Sequence, residues 1–264
     1  MPTQLTVTGA QMLTPGLRRV HFRSDDLSAF RDSVHTDRYV KLVFLKPGVT
    51  YPQPLHLKAL RDQLPPEDMP VVRTYAALFP DHDAGTVSID FVVHGDQGVA
   101  GPWAAAAQPG DQLLANGPGG AYAPDPTADW HLLVGDETAL PAITAALQAL
   151  PADAVAHVVV EVEGAGYQLD LPLPAGATLH WVHRDTGGSV QDVVRGLDWL
   201  PGRVHVFAHG EAQQMMHGLR PYLLRERGVP RDLLSISGYW RQGRTEESFR
   251  EWKAELARQE EGAV

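Results

Sequence analysis

The pattern of apolar residues changes near residue 125, and this change constrains the fold more than any other feature of the 264-residue chain. Before it, short apolar stretches are separated by Gly and Pro, which predicts many short strands in an antiparallel barrel or sandwich. The stretch Lys46–Pro70 is rich in proline and is predicted to be a long surface loop. The predicted strands are Gln4–Met12, Arg18–Arg23, Arg38–Leu45, Val71–Phe79, Thr86–Val93 and Gln112–Asn116.

After residue 125, predicted strands alternate with predicted helices, which favours a doubly wound α/β domain with a parallel sheet. A run with two prolines, Ala123–Thr127, separates the two patterns. The sequence therefore predicts two domains, a β-barrel over 1–124 and an α/β domain over 125–264. The predicted strands are Trp130–Val134, Ala156–Val162, Thr178–Val182, Arg203–His209 and Leu233–Gly238, and the predicted helices are Leu140–Leu150, Ser189–Arg195, Ala212–Arg227 and Glu246–Glu260.

Composition excludes several classes of function. The chain has no cysteine, so disulfides, thiolate zinc sites, cysteine nucleophiles and cysteine-bound iron–sulfur clusters are excluded. A formal net charge of −10 without a basic stripe argues against a nucleic-acid partner. No apolar run reaches the ~20 residues that a membrane span needs. Because Met1–Ala10 also lacks the blocks of a signal peptide, we expect a cytoplasmic protein.

Two motifs in the first half could bind a phosphorylated, aromatic ligand. In Arg73-Thr74-Tyr75-Ala76, the Arg and the Tyr are two residues apart on a strand and share a face. Arg offers a bidentate fork to phosphate and Tyr offers a flat ring, although a solvated Arg beside a core Tyr is the alternative. The second motif is a predicted strand–turn–helix in which the helix begins near Pro102. It comprises Asp90, His94, Gly95, Ala100, Gly101, Pro102 and Trp103.

In the second half, three turns follow predicted strands and therefore lie at the carboxyl edge of the sheet, where doubly wound folds bind ligands. The first turn opens a helix, with Thr138 as its predicted N-cap. The twelve histidines do not predict a metal site, because His205 and His209 share a strand face but lie ~13 Å apart. The three turns contain Gly135, Asp136, Glu137 and Thr138; Gly210 and Glu211; and Tyr239, Trp240, Arg241 and Arg244.

In their order and spacing, these motifs resemble the siderophore-interacting proteins, a family of FAD-dependent ferric-siderophore reductases with the ferredoxin-reductase type of fold. The resemblance covers roughly Arg18 to Trp252. It implies that Arg73 contacts the FAD phosphates, that Tyr75 stacks on the flavin, and that the strand–turn–helix motif holds the rest of the cofactor. The flavin carries the chemistry, so no catalytic side chain is predicted.

The resemblance further implies a nicotinamide site in the second half, and the substrate is expected to be an anionic ferric siderophore. We assign the nicotinamide site to Gly135, Asp136, Glu137, Thr138, Arg184, Gly210 and Glu211, and the chelate site to Lys41, Tyr239, Trp240, Arg241 and Arg244, with Arg38 as a further candidate cation.

Three positions depart from the family pattern. Ala76 stands where Thr or Ser usually places a hydroxyl near flavin N5, and Leu78 stands where Arg is usual. His209 replaces a small residue and is expected to crowd the nicotinamide entrance. These departures keep two alternatives open, namely a general flavin or quinone reductase, and a non-enzymatic protein that binds flavin or chelate.

The electron donor stays open as well. Glu161 and Glu163 follow the second strand of the α/β half and suit the ribose hydroxyls of NADH. Arg184 follows the third strand and suits the 2′-phosphate of NADPH. A reduced ferredoxin, which some members of the family use, is the third option.

Overall fold

A computed structural model describes residues 2–96, 98–244 and 249. The chain divides into two compact units. The first unit contains the chain up to Pro124 together with Pro141–Pro151 and Glu163–Leu173, and the second contains Asp125–Leu140, Ala152–Val162 and the chain from Pro174 onward. The division into domains at residues 124 and 125 stays a prediction.

The first unit is built on a closed antiparallel barrel of six strands in the order β1-β2-β5-β4-β3-β6, which confirms the predicted class. Alternate residues fill its interior, and Val20, Phe22, Leu42 and Ile89 are completely buried. Helix α2 covers Ala100–Ala106 and adds Trp103, whose ring lies 5.9 to 6.2 Å from three core phenylalanines. The strands are β1 (Thr3–Thr14), β2 (Leu17–Arg23), β3 (Tyr39–Phe44), β4 (Val71–Asp81), β5 (Thr86–Val92) and β6 (Gln112–Gly119).

The proline-rich stretch between β3 and β4 is a mostly exposed loop, as the sequence predicts, but it also holds regular turns and buried residues. It contains a short helix, α1 (Leu57–Leu60), and a 3₁₀ turn at Pro66–Asp68. Tyr51, Leu55 and Leu60 are buried and form a second small core with Val43 of β3. The sequence did not predict this small core, because its apolar residues follow neither the helix period nor the strand period.

The second unit contains a five-stranded sheet in the order β11-β10-β7-β8-β9, and every neighbouring pair is parallel. This confirms the predicted sheet. All seven residues of β7 are buried, as expected of a central strand covered on both faces. Its elements are β7 (Trp130–Asp136), β8 (Val155–Val162), β9 (Gly176–His183), α4 (Val190–Gly196), β10 (Val204–Glu211) and β11 (Leu234–Trp240). Helix α3 (Leu140–Ala149) follows β7 in the chain, but from Pro141 onward it belongs to the first unit.

One predicted helix is wound differently in the structure, and another lies almost entirely outside the described residues. The segment predicted as Ala212–Arg227 is helical, but it is wound as two π-type stretches, Gln213–Leu219 and Tyr222–Glu226. The predicted helix Glu246–Glu260 lies outside the described residues, apart from Phe249. Within the described part of the chain, no helix is long and apolar enough to cross a membrane.

The strand order creates a switch point at the carboxyl end of β7. From β7 the chain adds β8 and β9 on one side, and it then returns to add β10 and β11 on the other side of β7. Open α/β sheets bind ligands at such a point. The ends of β7, β8 and β10 bring Asp136, Glu161 and Glu211 to this edge.

Candidate functional site

One face of the barrel carries two arginines beside a tyrosine. In the antiparallel pair β3–β4, Tyr75 lies opposite Val40 and Arg73 lies opposite Leu42, so the two share a face as predicted. Arg38 lies opposite Ala77, whose N–H donates to the Arg38 carbonyl at 2.7 Å. Arg38 is therefore on this face too. We call Arg38, Arg73 and Tyr75 the Tyr75 face.

The groups of the Tyr75 face suit an anionic aromatic ligand. Each of the three side chains is partly exposed, and the Tyr75 ring lies 4.6 Å from the ring of Phe91. The Arg38 Nη2 atom donates to the Ser33 carbonyl at 3.1 Å. Its Nε atom is buried and has no hydrogen-bond partner among the described residues. A buried donor on a cation is a ready contact for a phosphate oxygen.

The opposite face of β4 carries the remaining motif residues. Thr74 lies opposite Lys41, and Ala76 lies opposite Tyr39. Thr74, Lys41 and Tyr39 are exposed, and Ala76 is half-buried. Leu78 is only 1% exposed, so the position where the family usually has Arg is part of the packed interior here. A cation at residue 78 would lose its hydration.

The strand–turn–helix motif has mixed surroundings. The Asp90 carboxylate is held by Arg19 through hydrogen bonds of 2.6 and 2.7 Å, a partner that sequence reasoning missed. His94 and Gly95 are exposed after β5, and Ala100 and Pro102 lie in the first turn of α2. Trp103 is partly buried and packs against the barrel core. A Cβ at Gly101 would lie 3.3 Å from the Val92 carbonyl oxygen, so glycine lets α2 pack closely on β5.

In the second unit, the Asp136 carboxylate joins three strands at the sheet edge. It accepts hydrogen bonds from the Glu211 N–H of β10 at 2.9 Å and from the Trp240 indole N–H of β11 at 2.7 Å. The N–H and the hydroxyl of Thr138 also donate to it. Thr138 thus binds Asp136, and helix α3 begins only at Leu140. Burial raises the pKa of Asp136 to about 6, although the bonds from Thr138 and Trp240 favour the charged form.

Gly210 is required by the Asp136 contact. Its φ is +153°, and a Cβ at this position would lie 2.7 Å from Asp136 Oδ2. The neighbouring Glu211 carboxylate accepts from the N–H of Gln214 at 2.9 Å and from the N–H of Gln242 at 3.2 Å. Glu211 therefore fixes the two segments that follow β10 and β11.

Arg184 forms an ion-pair network with two acidic residues from neighbouring strand ends. Its Nη1 atom lies 2.9 Å from Glu137 Oε2 and 3.2 Å from Glu161 Oε1, and its Nη2 atom also bonds Glu137. The amide of Gln214 donates to both Glu161 oxygens at 3.2 and 3.3 Å. We call Glu137, Glu161, Arg184 and Gln214 the Arg184 network. Sequence reasoning proposed three of these residues separately and missed their pairing.

Comparison with known proteins assigns the chain to a family. Residues 6–122 match the siderophore-interacting FAD-binding domain, and residues 128–243 match the siderophore-interacting protein model. The chain belongs to the siderophore-interacting protein family. It is 30% identical to the ferric vibriobactin reductase of Vibrio cholerae, over 95% of this chain and 93% of that protein. An uncharacterized protein of Mycobacterium tuberculosis is 47% identical, over 97% of this chain and 96% of its own.

A solved structure supports the same assignment. The siderophore-interacting protein SipS from Aeromonas hydrophila is 30% identical with a TM-score of 0.79, over 97% of this chain and 98% of that chain. The predicted resemblance and its ferredoxin-reductase type of architecture are thus confirmed. The Tyr75 face lies within the family's FAD-binding domain, and its cations and aromatic ring fit a flavin dinucleotide.

The predicted chelate residues have distinct surroundings. Lys41 belongs to the barrel, whereas the other four lie at or just after the end of β11. Tyr239 is 40% exposed and Arg244 is exposed, while Arg241 is half-buried. Trp240 is turned toward Asp136, which gives it a role in holding the edge together. Of the predicted set, Lys41, Tyr239 and Arg244 are exposed, and Trp240 and Arg241 are partly exposed.

The His209 ring packs within the sheet. It is buried, stacks on Phe207 with ring centroids 4.0 Å apart, and meets Tyr239 edge-on at 4.9 Å. Its Nε2 atom lies 2.9 Å from the Ser235 hydroxyl of β11. These contacts give the ring a packing role, and its effect on nicotinamide entry stays a prediction.

Proposed function

We propose that the protein is an FAD-dependent reductase of ferric siderophores that acts in the cytoplasm. Electrons pass from NAD(P)H, or from a reduced ferredoxin, by way of FAD to Fe(III). Reduced iron binds hard oxygen ligands less tightly, so reduction releases it from the siderophore. The proposal is supported by membership of the family, by its FAD-binding domain, and by the ferric reductase among the relatives.

The side chains of the Tyr75 face would hold the cofactor. Arg73 and Arg38 offer donors to its two phosphates, and Tyr75 offers a ring to the isoalloxazine. When bound, FAD accepts two electrons as hydride and delivers them singly, so that one nicotinamide serves two ferric ions. The protein's contribution is to bind, orient and exclude water. No side chain has to form a covalent bond.

The exposed cations would attract the chelate. The chain is strongly acidic overall, so an anionic ferric siderophore needs local positive charge to bind. Lys41 on the barrel, and Arg241 and Arg244 after β11, offer that charge, and Tyr239 offers an exposed ring. We propose each of these residues, in its own unit, as a contact for the chelate, without any metal-ligating side chain from the protein.

The Tyr75 face is the observation that carries the proposal, and the visible spectrum of the purified protein tests it. We expect a flavin spectrum, release of FAD on heating, bleaching by a reduced nicotinamide, and recovery of colour on adding a ferric siderophore with formation of Fe(II). Bleaching by reduced ferredoxin alone would identify the donor as ferredoxin.

Other outcomes would support the two alternatives. A stable FAD complex that is reduced but never turns over ferric siderophore would favour a general flavin or quinone reductase. Protein that stays free of flavin after FAD is added would favour the non-enzymatic alternative. Release of FMN in place of FAD would contradict the assignment of the Tyr75 face to a dinucleotide.

A further inference from the structure

We infer that the sheet edge selects a dinucleotide whose ribose carries a free 2′-hydroxyl, so that the donor is NADH and NADPH is discriminated against. This inference rests on the proposed function, in which a nicotinamide dinucleotide binds at the carboxyl edge of the parallel sheet. It is carried by the Arg184 network.

The position of the network decides which part of a dinucleotide it would meet. Dinucleotides lie across the switch point, and an acidic residue after the second strand binds the adenosine ribose, whereas an arginine nearby accepts a 2′-phosphate. Both residue types are present here. Glu161 lies near the end of β8, the second strand of this sheet, and Arg184 directly follows the third, β9. The preference therefore depends on whether Arg184 is available.

Arg184 is hydrogen-bonded to two carboxylates. Both terminal nitrogens bond Glu137, and Nη1 also bonds Glu161. Glu161 is 2% exposed and Glu137 is 9% exposed. If Arg184 turned to a phosphate, both acids would stay buried without the cation that compensates their charge. A buried charge that loses its partner is strongly destabilising.

One polar atom of the network lacks a hydrogen-bond partner among the described residues, and that atom is an acceptor. The Oε1 atom of Gln214 is buried and has no hydrogen-bond partner within the described chain, and its amide nitrogen is occupied by Glu161. Carboxylate and amide oxygens accept hydrogen bonds from ribose hydroxyls. A 2′-phosphate is mostly dianionic at neutral pH and has almost no proton to donate. With two carboxylates against one guanidinium, the network favours a hydroxyl that can donate a hydrogen bond and disfavours a phosphate.

Binding of the oxidised dinucleotides tests the inference without turnover. FAD-loaded protein is titrated with NAD⁺ and with NADP⁺ by calorimetry, and flavin reduction by NADH and NADPH is followed in parallel. We expect NAD⁺ to bind at least about tenfold more tightly, since an unpaired buried polar or charged group typically costs one to two powers of ten in affinity. We expect kcat/KM to favour NADH by a similar factor.

Variants of the network separate its parts. In the double variant Glu137→Gln/Glu161→Gln, Arg184 is released, and we expect the preference for NAD⁺ over NADP⁺ to fall about tenfold. A triple variant that also carries Arg184→Gln should regain the preference for NAD⁺, because the released arginine is gone. Asp153→Asn removes one negative charge from an exposed site before β8 and serves as the matched control, with an unchanged preference.

Three results would overturn the inference, namely equal or tighter binding of NADP⁺ by the unaltered protein, failure of both dinucleotides to bind, or a specific loss of NADP⁺ affinity in Arg184→Gln alone. Failure of the proposed function would give results different from these three. It would show as protein without FAD, or as dithionite-reduced protein that leaves a ferric siderophore unreduced.

Discussion

Ala76 is the residue whose chemistry departs most clearly from the family pattern. It is half-buried on β4 opposite Tyr39, where the family usually carries a hydroxyl near flavin N5. A hydrogen bond contributes about 0.5–1.5 kcal/mol, which is up to about tenfold in rate if it forms only in the transition state. We expect Ala76→Thr to speed flavin reduction by up to about tenfold in stopped flow at equal FAD content.

Ala76→Val is the matched control for this prediction, because Val has the shape of Thr without the hydroxyl. If Thr and Val give the same rate, the missing hydrogen bond does not limit reduction. His209→Gly then tests whether access limits it. Only a faster reduction in that variant would support the predicted crowding by the histidine ring.

Tyr75 allows the cofactor assignment to be tested at one side chain. We expect Tyr75→Ala to lose most of its FAD during gel filtration, because the flavin loses its aromatic contact. Tyr75→Phe keeps the ring and should retain FAD. Since Tyr75 also packs on Phe91, the melting temperature of each variant is measured without FAD to check the fold. A folded Tyr75→Ala protein with full FAD content would remove Tyr75 from the cofactor site.

At the scale of elements, the amino ends of β7 and β10 carry a histidine pair that makes the second unit acid-sensitive. The rings of His131 and His205 lie 6.1 Å apart, and the Asp125 N–H donates to His205 at 3.0 Å. Burial, reinforced by the charge of His205, lowers the pKa of His131 to about 4. Between pH 6.5 and 4 the unfolded state binds more protons there, so stability falls as the pH falls through this window.

Asp136 has the opposite effect on how stability depends on pH. Burial raises the pKa of its carboxyl to about 6, so its contribution to stability is complete below pH 4 and is lost as the pH rises through 6. The two effects offset each other between pH 4 and 6. We expect His131→Gln to remove the contribution of the histidine. Between pH 7 and pH 4.5, the free energy of unfolding of the variant should therefore fall on the order of 2 kcal/mol less than that of the unaltered protein.

Urea denaturation at pH 7 and pH 4.5, followed by tryptophan fluorescence, measures this difference. His217→Gln changes an exposed histidine of the same unit and is the control. Equal acid sensitivity of His131→Gln and His217→Gln would show that His131 does not titrate with folding.

The elements also show how far sequence reasoning reaches. The barrel strands and the parallel sheet were predictable because period-2 patterns and strand–helix alternation report burial directly. The packing of Tyr51 and Leu60 was not predictable, because a proline-rich segment can bury isolated apolar residues without a helix or strand periodicity. The pairing of Arg184 with Glu137 and Glu161 could have been predicted, because charged residues that follow adjacent parallel strands meet at the carboxyl edge of the sheet. Arg38 was missed as part of the Tyr75 face because strand register is set by cross-strand contacts that no local motif encodes.

At the scale of the whole molecule, the acidic charge makes the local cations important. We expect Lys41→Gln or Arg241→Gln to raise the apparent KM for an anionic ferric chelate about two- to fivefold at low salt, with less effect at high salt. FAD content should not change. Lys58→Gln removes the same charge from an exposed site on α1 and serves as the control. An equal loss with a cationic chelate would show that the damage is structural.

The hydrogen bond between Asp136 and Trp240 joins residues that are 104 positions apart in the chain. At about 5–20 residues per second, the ribosome needs roughly 5–20 s to make the tryptophan after the aspartate. Strand β7 is made before β10, its neighbour on one side of the sheet, and β10 is made before β11. For part of that time the apolar strand Trp130–Asp136 therefore lacks the β10 neighbour that covers one of its edges, and we expect this stretch of the nascent chain to be prone to association with other chains.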